Sequence, residues 1–373
     1  MLSLNFGIIY SYSSKVSLIN NTQEAFLQLI KAGLWGKEAC LLQCGDIVYE
    51  KLLRLSEEQS VVGLVAAGFD YVIDIKPQQE TLLQFIGLSL QIEQRNRSMN
   101  AFIAEIVEKM RNAGFKSVLV KGSGIAQCYQ RPLWRSCGDI DFFFSRSEYN
   151  KVVIYYNSIS SKTFQDSRYT KSYGVILDDW QVELHGTMRS GLSSRLDCVI
   201  DNVQKDVFYG GDTRSWMNGT TQVLLPGVNS DLFLLFTHFV RHFYHHEFVI
   251  RQVCDWCRFL WTYKDVIDIK LLETQLRNAS LMEEWKSFAA LAVNYLGMPK
   301  EALPFYDDSQ RWSKKAKKIL SFSLKGGIPN GVIYTMEMAK IFPINTLRFL
   351  PSLLFNVCGL KIKERLFGKD RCT

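Results

Sequence analysis

The chain has 373 residues, of which 47% are hydrophobic and 22% are charged. This composition is typical of a globular protein, and the length allows two or three lobes, each with its own core. The net charge of +7 favours anionic ligands such as nucleotides, but it is too diffuse to indicate a nucleic-acid-binding protein, and the sequence has no basic low-complexity arm. Nucleic acid is therefore a conceivable partner but not a favoured one.

The nine cysteines are scattered along the chain, and several lie in apolar helical patterns. In a chain of this length they are typical of reduced core thiols, which predicts a cytoplasmic protein. Residues 1–10 are apolar but lack the basic region and the cleavage site of a signal peptide. The apolar run 349–360 is too short and too interrupted to span a bilayer, so we expect no transmembrane segment; a buried helix is favoured there over a peripheral membrane contact.

Residues 1–112 are dominated by helix-period apolar patterns and form a predicted N-terminal helical lobe. Thr22 is a candidate N-cap for a first helix that Gly33 would end. A long helix is predicted from about Gln78 to Arg111, with a stop signal in the following Asn-Ala-Gly. No position in this lobe has a chemical signature, so we expect it to pack against the centre of the chain and to shape access to it.

The strongest signal lies in residues 113–226, which show the alternating pattern of a mixed sheet. Ser117–Val120 is a short run rich in β-branched residues and predicts a buried strand. The small residues of Lys121-Gly122-Ser123-Gly124 predict a turn directly after it. A second apolar run, Gly138–Phe144, then predicts another strand. Strand, turn, basic residue and acidic strand in this order indicate a functional site more strongly than any one of them alone.

Two aspartates lie at the start of the second strand. Because residues i and i+2 of a strand point to the same face, Asp139 and Asp141 are expected side by side, with Ile140 in the core behind them. Two carboxylates held this close repel each other unless a cation lies between them, and their oxygen atoms suit Mg²⁺ or Mn²⁺. Phosphoryl or nucleotidyl transfer requires such a pair, because metal ions and positioning carry most of that catalysis.

The residues around the predicted turn are candidates for binding phosphate. The backbone N–H groups of Gly122 and Ser123, and the Ser123 hydroxyl, would contact the phosphates of a nucleotide. Lys121 would meet triphosphate oxygens or pair with an aspartate, and both interpretations stay open. Arg135 lies four residues before Asp139 and would face the same cleft.

These motifs resemble a bacterial family of uncharacterised nucleotidyltransferases within the polymerase-beta-type superfamily. The resemblance covers most of the chain and implies a reaction type without a known substrate. Members of the superfamily carry a Gly-Ser turn, an Asp-x-Asp strand and a third carboxylate on a later strand. The matching segments in this sequence are Ala32–Gly36, Leu119–Gly122, Tyr129…Pro132…Arg135, Gly138–Asp141 and Arg251–Trp256.

A β-hairpin is predicted after a helix, with strands Tyr173–Leu177 and Trp180–Leu184 around an Asp-Asp turn. Alternation places Glu183 and His185 on the face opposite Val182. The resemblance implies an acidic residue on this strand, followed closely by Leu-His, so Glu183 is the candidate third metal carboxylate.

Other assignments of this hairpin stay open. Glu183 would otherwise be a solvated residue of an edge strand, and Asp178 or Asp179 would take its role, although a turn fixes a side chain less well than a strand does. His185 would orient a carboxylate, touch substrate or lie at the surface.

Residues 227–373 return to helix-period patterns and form a predicted C-terminal helical lobe. His238, Arg241, His242 and His245 recur at spacings of three and four and form one polar stripe on a helix. His238 and His242 have the spacing of a helical zinc pair, but no further metal motif frames them. A face that contacts phosphate or is simply solvated is therefore favoured.

Two charged residues follow on the next predicted helix. Arg251 and Asp255 are four residues apart and would form a salt bridge. Their match to the family pattern implies instead a cleft-facing role, in which Asp255 holds a substrate hydroxyl. The Cys254-x-x-Cys257 motif of this helix has no second cysteine pair, so a metal or redox role is not favoured. The predicted substrate cleft thus comprises His185, His238, Arg241, Arg251 and Asp255.

The predicted fold class is α+β: a minimal nucleotidyltransferase mixed β-sheet core flanked by helical N-terminal and C-terminal lobes. The expected reaction moves a nucleoside monophosphate from an NTP, most simply ATP, to an unidentified small molecule, sugar or protein. Asp139, Asp141 and Glu183 would hold Mg²⁺ or Mn²⁺. A non-catalytic nucleotide-binding module on the same fold would bind without turnover, and a metal-dependent phosphodiesterase would need no NTP; both are alternatives.

Overall fold

The structure is a computed structural model that describes residues 19–160, 162–167, 171–324 and 331–357. Residues 1–10 lie outside the described residues. So do the end of the apolar run 349–360 and the last residues of the predicted C-terminal lobe. The helices are α1 Asn21–Trp35, α2 Tyr49–Glu58, α3 Val62–Gly68, α4 Gln79–Asn112, α5 Gly122–Ala126, α6 Tyr149–Ile159, α7 Ser194–Phe208, α8 Val228–Tyr244, α9 Ile250–Tyr263, α10 Ile269–Ala279, α11 Met282–Leu296, α12 Gln310–Ser323, α13 Gly331–Ile341 and α14 Pro343–Val357. The strands are β1 Val118–Val120, β2 Ile140–Phe143, β3 Lys162–Ser167, β4 Ser172–Leu177, β5 Trp180–His185, β6 Thr213–Asn218 and β7 Thr221–Pro226.

The central sheet has five strands in the order β1-β2-β5-β4-β3. Strands β2 and β5 are parallel, and all other neighbours are antiparallel. The predicted mixed sheet and the hairpin β4–β5 are therefore confirmed. The register pairs Asp141 of β2 directly with Glu183 of β5, so these two acidic side chains stand on the same face of neighbouring strands.

The two faces of the sheet have different environments. On one face Ile140, Phe142 and Val182 are fully buried and pack with residues of α4 and α6. On the other face Phe143 packs with Val207 of α7, whereas Asp141, two residues earlier in β2, borders a cavity. Packing thus covers the end of β2 and leaves its start accessible on the polar face.

The helices before and after the sheet share one hydrophobic core. Phe26 of α1, Trp256 of α9 and Trp285 of α11 belong to the same buried cluster. A hydrogen bond also connects a helix before the sheet with one after it, since the Trp35 indole of α1 donates to the carbonyl of Leu296 in α11 at 2.6 Å. The predicted limits of the helical lobes fall at the ends of α4 and β7; that these limits separate domains stays a prediction.

The first helix begins and ends at different residues than predicted. Asn20, not Thr22, is the N-cap, and its side chain accepts a hydrogen bond from the Gln23 N–H. Gly33 lies inside α1, where a Cβ atom would be 2.1 Å from the carbonyl oxygen of Leu64. The glycine therefore serves close packing rather than helix termination, and Gly36 ends the helix with φ of 64°.

Five of the seven cysteines that the structure describes are buried, whereas Cys40 is half-buried and Cys198 is exposed. Free thiols are found at Cys40, Cys44, Cys128, Cys137, Cys198, Cys254 and Cys257. Within the described ranges, no helix combines the length and the apolar character that a membrane span requires.

Candidate active site

A cavity of about 540 Å³ opens between the polar face of the sheet and helices α8 and α9. Ser123 is the one predicted site residue that does not line it. The predicted residues that do are Lys121, Gly122, Arg135, Asp139, Asp141, Glu183, His185, His238, Arg241, Arg251 and Asp255. The fold thus brings together residues from two strands and two helices that are far apart in the sequence; their individual roles stay predictions.

Asp141 is the centre of the charged cluster. Its side chain is 3% exposed, and its Oδ1 accepts hydrogen bonds from Lys121 Nζ at 3.0 Å and from His185 Nε2 at 2.6 Å. Burial alone would raise the pKa of Asp141, but the Lys121 ammonium and the His185 hydrogen bond outweigh it and hold that pKa well below its usual range. Asp141 is therefore ionised at neutral pH.

Glu183 lies beside Asp141 and is less strongly engaged. Its Oε2 is 3.5 Å from His185 Nε2, and its Oε1 accepts a hydrogen bond of 3.3 Å from Gln181. Burial and the neighbouring Asp141 raise the pKa of Glu183. The predicted position of Glu183 on the polar face is confirmed, and its side chain is half-buried rather than fully solvated.

Asp139 precedes β2 and is exposed to the cavity. The charge of Asp141, followed by partial burial, raises the pKa of Asp139. Asp139 is not part of the tightest cluster, however. A ligand atom from each of Asp141, Glu183 and His185 lies within 4.8 Å of the others, and this is the one such group of three or more that the described residues contain.

The donor set of this cluster fits a divalent cation. Two carboxylates and an imidazole within 4.8 Å suit Mn²⁺ and other first-row metals, and the addition of Asp139 would make the set richer in oxygen, as Mg²⁺ prefers. His185 either ligates the cation or orients Asp141, because its Nε2 already touches Asp141 Oδ1.

The segment after β1 differs in part from the predicted turn. Lys121 has a positive φ of 60° and is followed by α5, which begins at Gly122. This strained backbone for a residue other than glycine directs Lys121 Nζ toward Asp141. Ser123 points the other way: it is 4% exposed, and its hydroxyl lies 3.8 Å from Met99 Sδ. The structure therefore does not bring the Ser123 hydroxyl to the cavity, because the α5 turn rotates it into the core.

Arg135 and Asp255 form a buried ion pair. Arg135 Nη2 donates to Asp255 Oδ2 at 2.6 Å and Nε donates to Oδ1 at 3.1 Å, with side-chain exposures of 5% and 4%. The Tyr129 hydroxyl donates to the same carboxylate at 2.8 Å. Asp255 is thus paired with Arg135 rather than with Arg251, its neighbour on the helix, since the bidentate geometry satisfies both buried charges.

The histidines of α8 form a hydrogen-bonded chain. His238 Nε2 and His242 Nε2 are 2.9 Å apart, and His242 Nδ1 contacts Glu247 Oε2 at 2.8 Å. Burial, followed by the charges of Lys121, His242 and Arg241, lowers the pKa of His238 well below its usual value, so His238 is neutral at pH 7. Glu247 carries no sequence motif and lies in the loop after α8, which is why pattern-based reasoning missed it.

The mixed sheet with helical flanks defines an α+β protein that is consistent with a nucleotidyltransferase fold. Residues 46–297 match the model of a family described as uncharacterised nucleotidyltransferase. Because the match covers more than half of the chain, the protein belongs to this family, and the resemblance seen in the motifs is confirmed. Neither the curated proteins nor the solved structures give a match. Bacterial origin and the wider superfamily stay predictions.

Proposed function

We propose that this protein is a metal-dependent nucleotidyltransferase that moves a nucleoside monophosphate from an NTP to a hydroxyl or another oxygen or nitrogen nucleophile. The observation that supports this most is the convergence of Asp141, Glu183 and His185 within 4.8 Å in a cavity of about 540 Å³, beside Asp139 and Lys121. ATP is the donor to test first.

The acidic residues would act as ligands of the cation. Asp141 and Glu183, with Asp139 and His185, would hold Mg²⁺ or Mn²⁺. Such a cation supplies charge stabilisation for the phosphate oxygens of the transition state. Lys121 Nζ, which contacts Asp141, would donate to the same phosphates, and Gly122 lines the cavity beside it.

The reaction balances without a redox partner. The nucleophile of the acceptor forms a bond to the α-phosphorus, and the bond between this phosphorus and the bridging oxygen to the β-phosphate breaks. The electron pair leaves with pyrophosphate. Glu183 would take the proton of the nucleophile, because within the described ranges its carboxylate has only long contacts, with Gln181 at 3.3 Å and with His185 at 3.5 Å.

The acceptor would enter between the sheet and helices α8 and α9. This wall of the cavity carries His238, Arg241 and Arg251. We also propose a cytoplasmic location, which the free thiols support.

The test is a transfer assay with α-labelled ATP, Mg²⁺ or Mn²⁺, and pools of small molecules, sugars and proteins. Asp141→Asn should reduce labelling at least about 100-fold, because it removes a ligand of the cation that stabilises the transition state by several kcal/mol. Asp178→Asn is the matched control. Asp178 is exposed in the β4–β5 turn, lines a different cavity and should keep full activity.

Other results would exclude the proposal. Labelling that persists in Asp141→Asn would mean that this cluster is not the reacting centre. Nucleotide that binds to the parent protein without turnover in any pool would favour the non-catalytic module. Hydrolysis of a phosphodiester in the absence of NTP, lost in Asp141→Asn, would favour the phosphodiesterase.

A further inference from the structure

Most cations that line the cavity have a carboxylate partner. Lys121 contacts Asp141, and Arg135 holds Asp255 in a bidentate pair. Arg189 donates to both carboxylate oxygens of Asp201, through Nε at 2.9 Å and through Nη2. These side chains therefore have their charge balanced by the protein itself.

Two other arginines of the same cavity form no ion pair with a carboxylate within the described ranges. Arg251 Nη1 donates to the carbonyl oxygen of Ser136 at 2.7 Å, and Arg251 Nε is buried without a hydrogen bond. Arg241 is half-buried, and its guanidinium makes no ion pair or hydrogen bond with the part of the chain that the structure describes. Both side chains line the cavity wall formed by α8 and the start of α9.

An unpaired guanidinium in a partly buried site is unfavourable unless a ligand supplies an anion. Taking a charge out of water costs several kcal/mol, and a matching oxyanion recovers this cost through charge-assisted hydrogen bonds. Burial, followed by the nearby Arg135, lowers the pKa of Arg251, and the charge of Asp255 opposes this only in part. A guanidinium fork matches the oxygens of a phosphate or a carboxylate.

The two arginines differ in their relation to the predicted metal ligands. Asp141, followed by burial, raises the pKa of Asp139, and the charge of Arg251 opposes this shift, so Arg251 lies near that ligand. Arg241 is on α8 three residues after His238, which corresponds to a rise of about 4.5 Å along the helix. After burial, the charges of Lys121, Arg241 and His185 lower the pKa of His238, and Arg241 also acts on His245 and on Glu247, which follow α8. A donor nucleotide with its phosphates at Lys121 and the cation would leave the part of the cavity around Arg241 free.

We propose that Arg241 and Arg251 form a subsite for an oxyanion of the acceptor, so that the acceptor is a molecule with a phosphate group. The presence of an anion site is inferred from the contacts of the two arginines. That the anion belongs to the acceptor and not to the donor rests on the proposed function. A carboxylate has the same fork-like geometry with one charge fewer and should bind more weakly than phosphate.

The subsite can be tested by calorimetric titration of the full-length protein, without knowledge of the acceptor. Inorganic phosphate is the probe, acetate is the carboxylate arm, and α,β-methylene-ATP with Mn²⁺ represents the donor. Phosphate should bind with similar affinity in the absence and presence of saturating α,β-methylene-ATP. Arg241→Gln should weaken phosphate binding at least about tenfold, because it removes a charge-assisted contact, and should change nucleotide binding by less than about twofold.

The control variant removes a cation that lines the same cavity but already has a carboxylate partner. Arg189→Gln leaves Asp201 paired with Arg146, and phosphate affinity should fall by less than about twofold. Arg251→Gln gives a second measurement, and Arg251→Lys, which keeps the charge but loses the fork, should bind phosphate more weakly than the parent protein but more tightly than Arg251→Gln. Arg241→Gln removes no ion pair or hydrogen bond of the guanidinium within the described residues, so folding should not limit the test.

Each remaining outcome decides the question. Displacement of phosphate by the nucleotide would assign the arginines to the donor triphosphate and overturn the proposal. Absence of phosphate binding, or binding that neither arginine affects, would also overturn it and leave an adventitious ion only. If phosphate binding depends on Arg241 while the nucleotide does not bind to any variant, the anion subsite stands and the proposed transferase function fails.

Discussion

The buried carboxyl group of Glu284 should make the stability of this protein depend on pH. Glu284 on α11 is fully buried; its Oε1 accepts hydrogen bonds from the Tyr244 hydroxyl at 2.8 Å and from Asn345 Nδ2 at 2.6 Å. Its Oε2 is buried without a hydrogen bond. Burial raises the pKa of Glu284 from 4.5 to about 7, although both hydrogen bonds act in the opposite direction.

The sign and size of the effect follow from this shift. Between pH 4.5 and about 7 the unfolded chain ionises Glu284 while the folded protein keeps it protonated. The folded state then binds more protons, so stability is greatest below the unfolded pKa and is lost as the pH rises through the folded pKa. A shift of this size corresponds to about 3 kcal/mol in total, of which about 2–3 kcal/mol falls between about pH 5 and about pH 8.

Glu284→Gln replaces the neutral acid by an uncharged group of similar shape. The free energy of unfolding, measured by urea titration, should then decline less than that of the parent protein between about pH 5 and about pH 8, by about 2–3 kcal/mol. The histidines that are neutral in the folded protein also contribute to the free energy of unfolding, and their contribution is lost as the pH falls. Because both proteins contain these histidines, this contribution cancels in the comparison. Glu283→Gln is the control. Glu283 pairs with Lys315 and Arg311, and these bonds outweigh its partial burial and lower its pKa. The free energy of unfolding of Glu283→Gln, plotted against pH, should therefore run parallel to that of the parent protein. Parallel curves for Glu284→Gln would refute the reasoning.

Three further predictions concern packing, the buried ion pair and the cation site. Gly33→Ala should destabilise the protein by about 2 kcal/mol or more in thermal or urea unfolding, because its Cβ would lie 2.1 Å from the Leu64 carbonyl oxygen. Gly87→Ala in α4, where a Cβ would have no atom within 4 Å, should stabilise the protein by up to about 1 kcal/mol. Equal effects of the two substitutions would contradict this reasoning. Arg135→Met should lower the free energy of unfolding by about 3–5 kcal/mol, because it leaves Asp255 unpaired. The double variant Arg135→Met/Asp255→Leu should lower it by less than the sum of the two single changes. Strict additivity would show that the two side chains do not interact. If His185 is a ligand, bound Mn²⁺ should show nitrogen hyperfine coupling in pulsed electron paramagnetic resonance, and His185→Asn should abolish this coupling. If His185 only orients Asp141, the parent protein should show no such coupling. His185→Asn should then still weaken Mn²⁺ binding, by about 10–100-fold.

Local patterns were sufficient to predict the acidic strand and the hairpin. Alternation placed Val182 and Leu184 in the core and Glu183 on the polar face, and the structure confirms all three positions. These predictions succeed because burial of one face fixes the orientation of every second residue in a strand. The sequence did not reveal that β5 runs parallel to β2, because sheet order depends on long-range packing. That order, more than either motif, brings Glu183 beside Asp141.

The assignments that failed or changed depend on partners that are distant in the sequence. Helical spacing suggested Arg251 as the partner of Asp255, but Arg135, 120 residues away, binds that carboxylate. A buried carboxylate is stabilised most by a bidentate guanidinium, and an i, i+4 neighbour on the same helix does not have to provide this geometry. The pair connects the segment before Asp139 to α9, so Arg135 contributes to the site by holding its two walls together. Within the described residues Arg251 then forms no ion pair with a carboxylate, and it lines the cavity in which we propose an anion subsite.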